Sequence, residues 1–389
     1  MEENNSPILW LPSWYPSKLD KFNGDFIQRH AKSLTLYKPV HVLYVIKDTK
    51  NFVTDNIKVE KNSFQNLTET IVYYAVPMYL PSIANKIYSF YKYCSIYKKQ
   101  LKLLFEKEGK PKFVHVHVAY KAGLIALYLK YKFGISYFVT EHWSGYNKNV
   151  ANNYFNRNFI FRFLVKKIFQ LSNCVIPVSY DLGEKIKAIE SSAKIKIIPN
   201  VVDKQLFYFN ETKNEKFQFV HYTSLDNSKN TIGLLRVLKS LVLKRGDWNC
   251  VIYGPAIEML RYFVIQNNLQ QNVQFEGEIT HENVATLLRN SDIFISFSNY
   301  ETQSCSILEA LCCGIPVIAT KVGGVTEIIN SENGVLVEPN NEPALLLAIE
   351  TMLTNYKTYN RIINAFTAQN KYSQTEVSTQ LLALYQAGF

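Results

Sequence analysis

The most constraining stretch of the chain runs from residue 292 to 320, where two apolar segments bracket a polar turn and one helical segment. Residues 292–297 and 316–320 are short, continuous apolar runs of the kind buried on both faces of a parallel sheet. Between them Ser298, Asn299 and Tyr300 form a turn, Glu301 follows, and a helix is expected from about Cys305 to Cys313, stopped by Gly314 and Pro316. Ser304 is a residue type that caps helices with its side chain. The helix start and the loop amides of Thr302, Gln303, Ser304 and Cys305 then present N–H groups at a strand end. In an open α/β sheet, that is where phosphate binds. Glu301 and Glu309 lie eight residues apart, on a helix a rise of ~12 Å and a rotation of about 80°, which turns both carboxylates toward one cleft. That separation suits one acid holding sugar hydroxyls and the other a ribose, with a diphosphate over the helix end.

The same alternation runs through the whole chain. In the first half, strands are expected at 8–11, 40–46, 71–76, 113–118, 137–140, 174–178 and 195–198, with a helix at 25–36 after the loop 13–24. A second series follows at 217–222, 249–253, 273–275, 292–297, 316–320 and 335–337, with helices such as 231–243 and 283–289 between. The two α/β series meet near 199–214, and 389 residues suffice for two domains, each with its own core. The expected fold is therefore α/β with two Rossmann-like domains.

Composition narrows the class. With 47% hydrophobic and 19% charged residues the chain is globular rather than disordered. Residues 1–7 are acidic and polar, which does not read as a signal peptide, and no apolar run approaches a membrane span. The six cysteines show neither metal-ligand nor disulfide spacing, so a reduced, cytoplasmic protein is expected. A net charge of +11 favours anionic partners: nucleotide sugars, phospholipid surfaces or nucleic acid.

The Glu-x7-Glu spacing continues into the run from Ala310 to Thr320 and then Gly323-Gly324 before Glu327. This string resembles the retaining glycosyltransferases of the large family 4. The resemblance implies the GT-B fold, with the two Rossmann-like domains facing a central cleft, and a nucleotide-diphosphate sugar, UDP- or GDP-linked, as donor. It implies an acceptor-binding domain over residues 1–200, a nucleotide-sugar domain over 201–375 and a terminal helix at 376–389 crossing back to the first domain. It further implies transfer to a saccharide, lipid-linked in surface polysaccharide or lipopolysaccharide assembly, at the inner face of the cell membrane.

The family's residues map onto this chain as follows. Lys229, in the loop 224–230 between a strand and a helix, matches the lysine that contacts the diphosphate; Ser224 stands where the family has arginine. Gly254 and the segment 275–279, with Glu278 and Ile279, resemble parts that surround the base and phosphates. Asn200 and Asp203 resemble the interdomain Asn-x-Val-Asp element. That element shapes the hinge; the expected donor site is Ser224, Lys229, Gly254, Glu278 and Ile279 with Glu301, Thr302, Gln303, Ser304, Cys305 and Glu309. On the acceptor side, Gly24 lies in the loop after the first strand, and His117 and His142 match positions where the family often has a histidine. His142 also ends a strand and opens a loop, beside Glu141, where α/β proteins place active-site residues. Glu301, Lys229 and His142 are the expected catalytic set. No Asp-x-Asp pair is present, and His115, His117 and His142 do not complete a zinc spacing, so no metal and no cofactor is expected.

Residues 86–105 and 154–171 interleave lysines and arginines with apolar and aromatic side chains, which suits a peripheral contact with an anionic membrane. Two other readings share parts of this pattern. A GT-B nucleotide-sugar epimerase or phosphorylase keeps the fold and changes the reaction. A basic nucleic-acid-binding protein would need a recognisable motif or a compact basic stripe, and the sequence shows neither.

Overall fold

The structure is a computed structural model that describes residues 7–77, 81–211, 214–225, 227–255 and 258–388; the polar N-terminal residues 1–6 and Asp226 of the 224–230 loop lie outside the described residues. The chain divides into two compact units. One comprises residues up to Val178, Gly183–Ile198 and the chain from Ser378 on; the other comprises Ser179–Leu182 and Pro199–Val377.

The first unit holds β1 (Ile8–Pro12), α1 (Asp25–Leu34), β2 (Val40–Lys47), β3 (Ile57–Phe64), β4 (Leu67–Tyr74), α2 (Ser82–Glu108), β5 (Phe113–His117), α3 (Ala122–Phe133), β6 (Ser136–Glu141), α4 (Phe159–Leu171), β7 (Cys174–Pro177) and most of α5 (Tyr180–Ile189). Its sheet runs β3-β4-β2-β1-β5-β6-β7, parallel except for the β3–β4 hairpin. Trp10, Val42, Val116 and Phe138 are buried within it, as the continuous apolar runs require when helices cover both faces. Chain order reverses between β1 and β5, so the loops leaving these strands run side by side at the carboxyl edge. There the Ser13 amide donates to the His117 carbonyl at 2.9 Å, and the Ser13 hydroxyl donates to the Val118 carbonyl at 2.8 Å.

Two sequence expectations change here. β3 was not expected: its residues are exposed or half-buried and mostly polar, as befits a charged edge strand with no core face to betray it. Residues 195–198, expected as a strand, run beside β7 without forming a regular strand: Ile195 makes an isolated bridge with Val175, and the Ile198 amide donates to the Pro177 carbonyl at 3.3 Å. Pro199 follows at once, lacks a donor and restricts the residue before it, which cuts the ladder short.

The second unit holds β8 (Phe217–Tyr222), α6 (Thr231–Val242), β9 (Trp248–Tyr253), α7 (Glu258–Gln266), β10 (Val273–Gly277), α8 (His281–Arg289), β11 (Ile293–Ser296), α9 (Cys305–Cys312), β12 (Val317–Thr320), β13 (Gly334–Val337), α10 (Glu342–Asn355) and α11 (Arg361–Tyr372). Its sheet is wholly parallel in the order β10-β9-β8-β11-β12-β13. Alternate strand residues feed opposite cores. Phe294 and Val317 pack with Ile307 and Leu311 of α9, whereas Phe219, Ile295 and Ile318 pack with Leu234 and Leu238 of α6. Here the strand order reverses between β8 and β11, and this fixes where a ligand site belongs.

The last helix, α12 (Gln374–Ala387), begins in the second unit and joins the first from Ser378. The Ser378 and Ser33 hydroxyls bond at 2.6 Å, and the Tyr385 hydroxyl bonds Nδ1 of His115 in β5. The Tyr385 ring also packs on Phe113, centroids 4.8 Å apart.

Candidate active site

In the second unit, β8 and β11 deliver their loops to the same point. After β8 the chain makes one tight turn, Asn227–Lys229, and Asn230 enters the left-handed region at φ 47 before α6 starts. The loop after β11 is tied to that turn: the Asn299 amide donates to the Ser228 carbonyl and its side chain to the Asn227 carbonyl, both at 2.7 Å. This tie brings the Lys229 ammonium onto a carboxylate oxygen of Glu301, the two side chains being 16% and 10% exposed. The Ser298 hydroxyl donates to the same oxygen at 2.9 Å. Burial opposes the charge on Lys229, but the Glu301 carboxylate and its hydrogen bond outweigh that and hold the ammonium above the usual lysine range. Ser224, in the family's arginine position, bonds the Ser228 hydroxyl at 3.0 Å.

Glycines set the backbone around this pair. The Gly324 amide donates to the Thr302 carbonyl at 3.1 Å. A Cβ on Gly323 would run into the Glu301 carbonyl and one on Gly324 into the Thr302 carbonyl, and Gly323 sits at φ 49 besides. Gly254, at φ 108, presses against the Thr223 carbonyl, so the end of β9 closes on the loop after β8. Ser224, Lys229, Gly254, Glu301 and Thr302 are thus drawn together.

The other residues expected in a donor site take other positions. Gln303 turns to Asn200, whose amide donates to the Gln303 side-chain oxygen at 2.6 Å. Glu309 is buried on α9 and accepts from Nε2 of His281 at 2.9 Å. The His281 ring packs on Phe207, centroids 4.8 Å apart. Ile279 packs on the core beneath α9, and Glu278 is exposed beyond the end of β10. Two sequence expectations need correction. Ser304 occupies the N-cap of α9 but its side chain makes no capping hydrogen bond. Helical spacing does not relate Glu301 to Glu309 either, because α9 starts only at Cys305 and Glu301 stands in the loop, fixed by Lys229 and Ser298.

In the first unit, imidazoles line the carboxyl edge of β5. The His117 ring lies 4.1 Å from Trp10, 4.3 Å from His115 and 6.1 Å from His142, nearly parallel to the last. His30 of α1 adds a fourth ring, 6.0 Å from His142. The sequence reading missed His30, whose only signal was its place on the buried face of α1. Both ring nitrogens of His117 are buried without a hydrogen-bond partner among the described residues. Burial, with the neighbouring imidazoles, pushes His117 well below the ordinary histidine value. His115 is driven down to about 3, chiefly by burial.

Glu141 is fully buried and holds the loop that carries His142. It accepts from the amides of Ala119, His142 and Trp143 and from the Tyr146 hydroxyl, at 2.9 to 3.0 Å. Burial raises its carboxyl despite these four donors. Gly24, the left-handed N-cap of α1, lies against the Trp14 and Tyr15 backbone, where a Cβ would come within 2.9 Å of three main-chain atoms. Among the described residues, no group of three or more His, Cys, Asp or Glu side chains is arranged to hold a metal ion. Among them too, no helix is long and apolar enough to cross a membrane.

Comparison with known proteins bears on this arrangement. Residues 203–369 match the family described as glycosyl transferases group 1, and residues 63–206 match glycosyltransferase family 4. An uncharacterized glycosyltransferase of Methanocaldococcus jannaschii is 25% identical over 54% of this chain and 59% of its own length. A Bacillus subtilis protein, TuaC, provisionally named a teichuronic acid biosynthesis glycosyltransferase, is 23% identical over 88% of each chain. The Anabaena protein HepE, solved in complex with UDP, superposes with a TM-score of 0.74 over 98% of this chain and 100% of its own, at 16% identity. With paired parallel α/β sheets, a lysine–glutamate pair at the second switch point and these matches along its length, the chain belongs to the family 4-like glycosyltransferases of GT-B fold.

Proposed function

We propose that the protein is a retaining, metal-independent glycosyltransferase. It moves a sugar from a UDP- or GDP-linked donor to a saccharide acceptor, lipid-linked, in surface polysaccharide or lipopolysaccharide synthesis. The observation that carries this reading is the buried Lys229–Glu301 pair at the carboxyl ends of β8 and β11. The ammonium and the amides around Thr302 to Cys305, at an α9 N-terminus that Ser304's side chain does not cap, suit a diphosphate. Glu301 would hold sugar hydroxyls and Glu309 the ribose, with Gly254, Glu278 and Ile279 toward the base and phosphates. The solved complex of HepE with UDP supports a nucleotide donor by likeness of fold.

The acceptor side lies in the first unit at Gly24, His117 and His142, with Glu141 positioning the His142 loop. The acceptor oxygen bonds to the anomeric carbon on the face that the diphosphate leaves. As the bond between the anomeric carbon and the donor's β-phosphate oxygen breaks, its electron pair stays on that phosphate, an oxygen of which takes the acceptor hydroxyl's proton. No carboxylate nucleophile takes part. Lys229 and the loop amides meet the charge that develops on the leaving group, where most of the rate is gained.

The absence of an Asp-x-Asp pair supports a reaction without a resident metal. A cytoplasmic protein touching an anionic membrane fits the exposed Ile83, Ile87 and Tyr91 on α2 and Phe159, Ile160 and Phe163 on α4, set among lysines and arginines. The test is transfer from labelled UDP- and GDP-sugars to saccharide acceptors, with the product anomer read by NMR. Transfer with the donor's anomeric configuration kept is expected. Failure of every donor to bind, an inverted product, or an epimerised nucleotide sugar released without acceptor would overturn the reading.

A further inference from the structure

We infer that Glu301 is the resident counter-ion of Lys229, and that it yields the ammonium to a diphosphate only when sugar hydroxyls replace it on the carboxylate. The site would then favour the intact nucleotide sugar over its own nucleotide-diphosphate product. This rests on the reading of the second unit as the donor site.

The argument starts from charge. Lys229 is the one basic residue in either converging loop, since residues 222–230 and 297–306 contain no other lysine or arginine. Its ammonium is already engaged by Glu301, and both side chains are largely withdrawn from water. Ser224, which flanks the same turn, is neutral and bonded to Ser228. A diphosphate that arrives on these two loops therefore shares their single cation with a carboxylate.

Drawing Lys229 away leaves Glu301 partly buried beside new negative charge, with the Ser298 hydroxyl still donating to its ammonium-bearing oxygen. A nucleotide diphosphate alone brings nothing that relieves this. An intact donor does, because its sugar hydroxyls donate to the carboxylate while its phosphates take the ammonium. After transfer the sugar departs with the acceptor. Glu301 then loses those donors, reclaims Lys229, and the product is loosened. The pair thus couples recognition of the sugar to that of the diphosphate and speeds product release.

Calorimetric titration of wild type and Glu301→Gln with UDP, UDP-sugar, GDP and GDP-sugar tests this. In wild type the intact donor should bind more tightly than its nucleotide diphosphate. Glu301→Gln should tighten the diphosphate by roughly tenfold while the donor gains less or weakens, inverting the order. Lys229→Ala/Glu301→Gln should abolish the gain. A variant that binds the diphosphate no more tightly than wild type overturns the proposal. If Glu301→Gln does not fold, competition in wild type decides: a diphosphate that displaces its own donor at equal or lower concentration overturns it. Wild type that binds none of the four contradicts the donor-site reading itself, a distinct outcome.

Discussion

Lys229 and Glu301, 72 residues apart in sequence, meet as a buried ion pair beside the point where the second sheet reverses its strand order. Each is delivered by a different strand, and each loop is pinned to the other through Asn299. The pair is thus a product of topology before it is a feature of chemistry.

Because both side chains are largely buried, removing one partner strands the other. Lys229→Met is expected to lower stability by about 2–4 kcal/mol, and Lys229→Met/Glu301→Gln to recover much of the loss. Urea melts of both variants check this. Equal losses for single and double variants would mean that the pair carries no such coupling.

Gly324→Ala should be harmful although alanine is small, because its Cβ meets the Thr302 carbonyl and the Ser179 side chain. A loss of about 2 kcal/mol is expected in a denaturant melt, as for other overpacked sites. Turnover should fall with it, since the displaced backbone carries Glu301.

His281→Phe removes the imidazole that donates to the buried Glu309. On the proposed reading, which puts Glu309 on the ribose, the donor KM should rise roughly tenfold while kcat changes less. An unchanged KM would detach this histidine from donor binding. The sequence reading missed His281; its only sequence signal was a histidine opening a helix.

Buried neutral imidazoles fix a pH dependence. His115 is driven down to about 3 and His221 to about 4, and His117 lies well below the ordinary value, each chiefly by burial. The unfolded chain takes up protons near pH 6.5 that the folded chain refuses, so this stability is full above that pH and is lost as pH falls toward 4. Each imidazole should remove about 1.4 kcal/mol per pH unit across that window. His117→Leu deletes ring nitrogens that have no hydrogen-bond partner among the described residues, and it should flatten the slope by one proton. Melts at pH 7.5, 6 and 5 measure it, and an unchanged slope would contradict the assignment.

Much of the fold was legible because buried parallel strands read as continuous apolar runs, and β8 was placed to the residue. β3 was not, since an exposed edge strand carries no apolar alternation worth reading. In the site, Glu301 was named from the Glu-x7-Glu spacing and Lys229 from the family resemblance, but their contact was not foreseen, because it depends on two loops converging across adjacent strands. The role of Glu141 as a loop anchor was equally hidden: four donors, from Ala119 and from the loop 142–146, meet on it.

The central claim is that the Lys229 ammonium meets the charge on the departing diphosphate, and steady-state transfer by Lys229→Ala tests it most directly. With folding verified by circular dichroism, kcat/KM for the nucleotide sugar should fall roughly 10²-fold or more, as when one donor to a developing oxyanion is removed. Transfer at the wild-type rate would contradict the account.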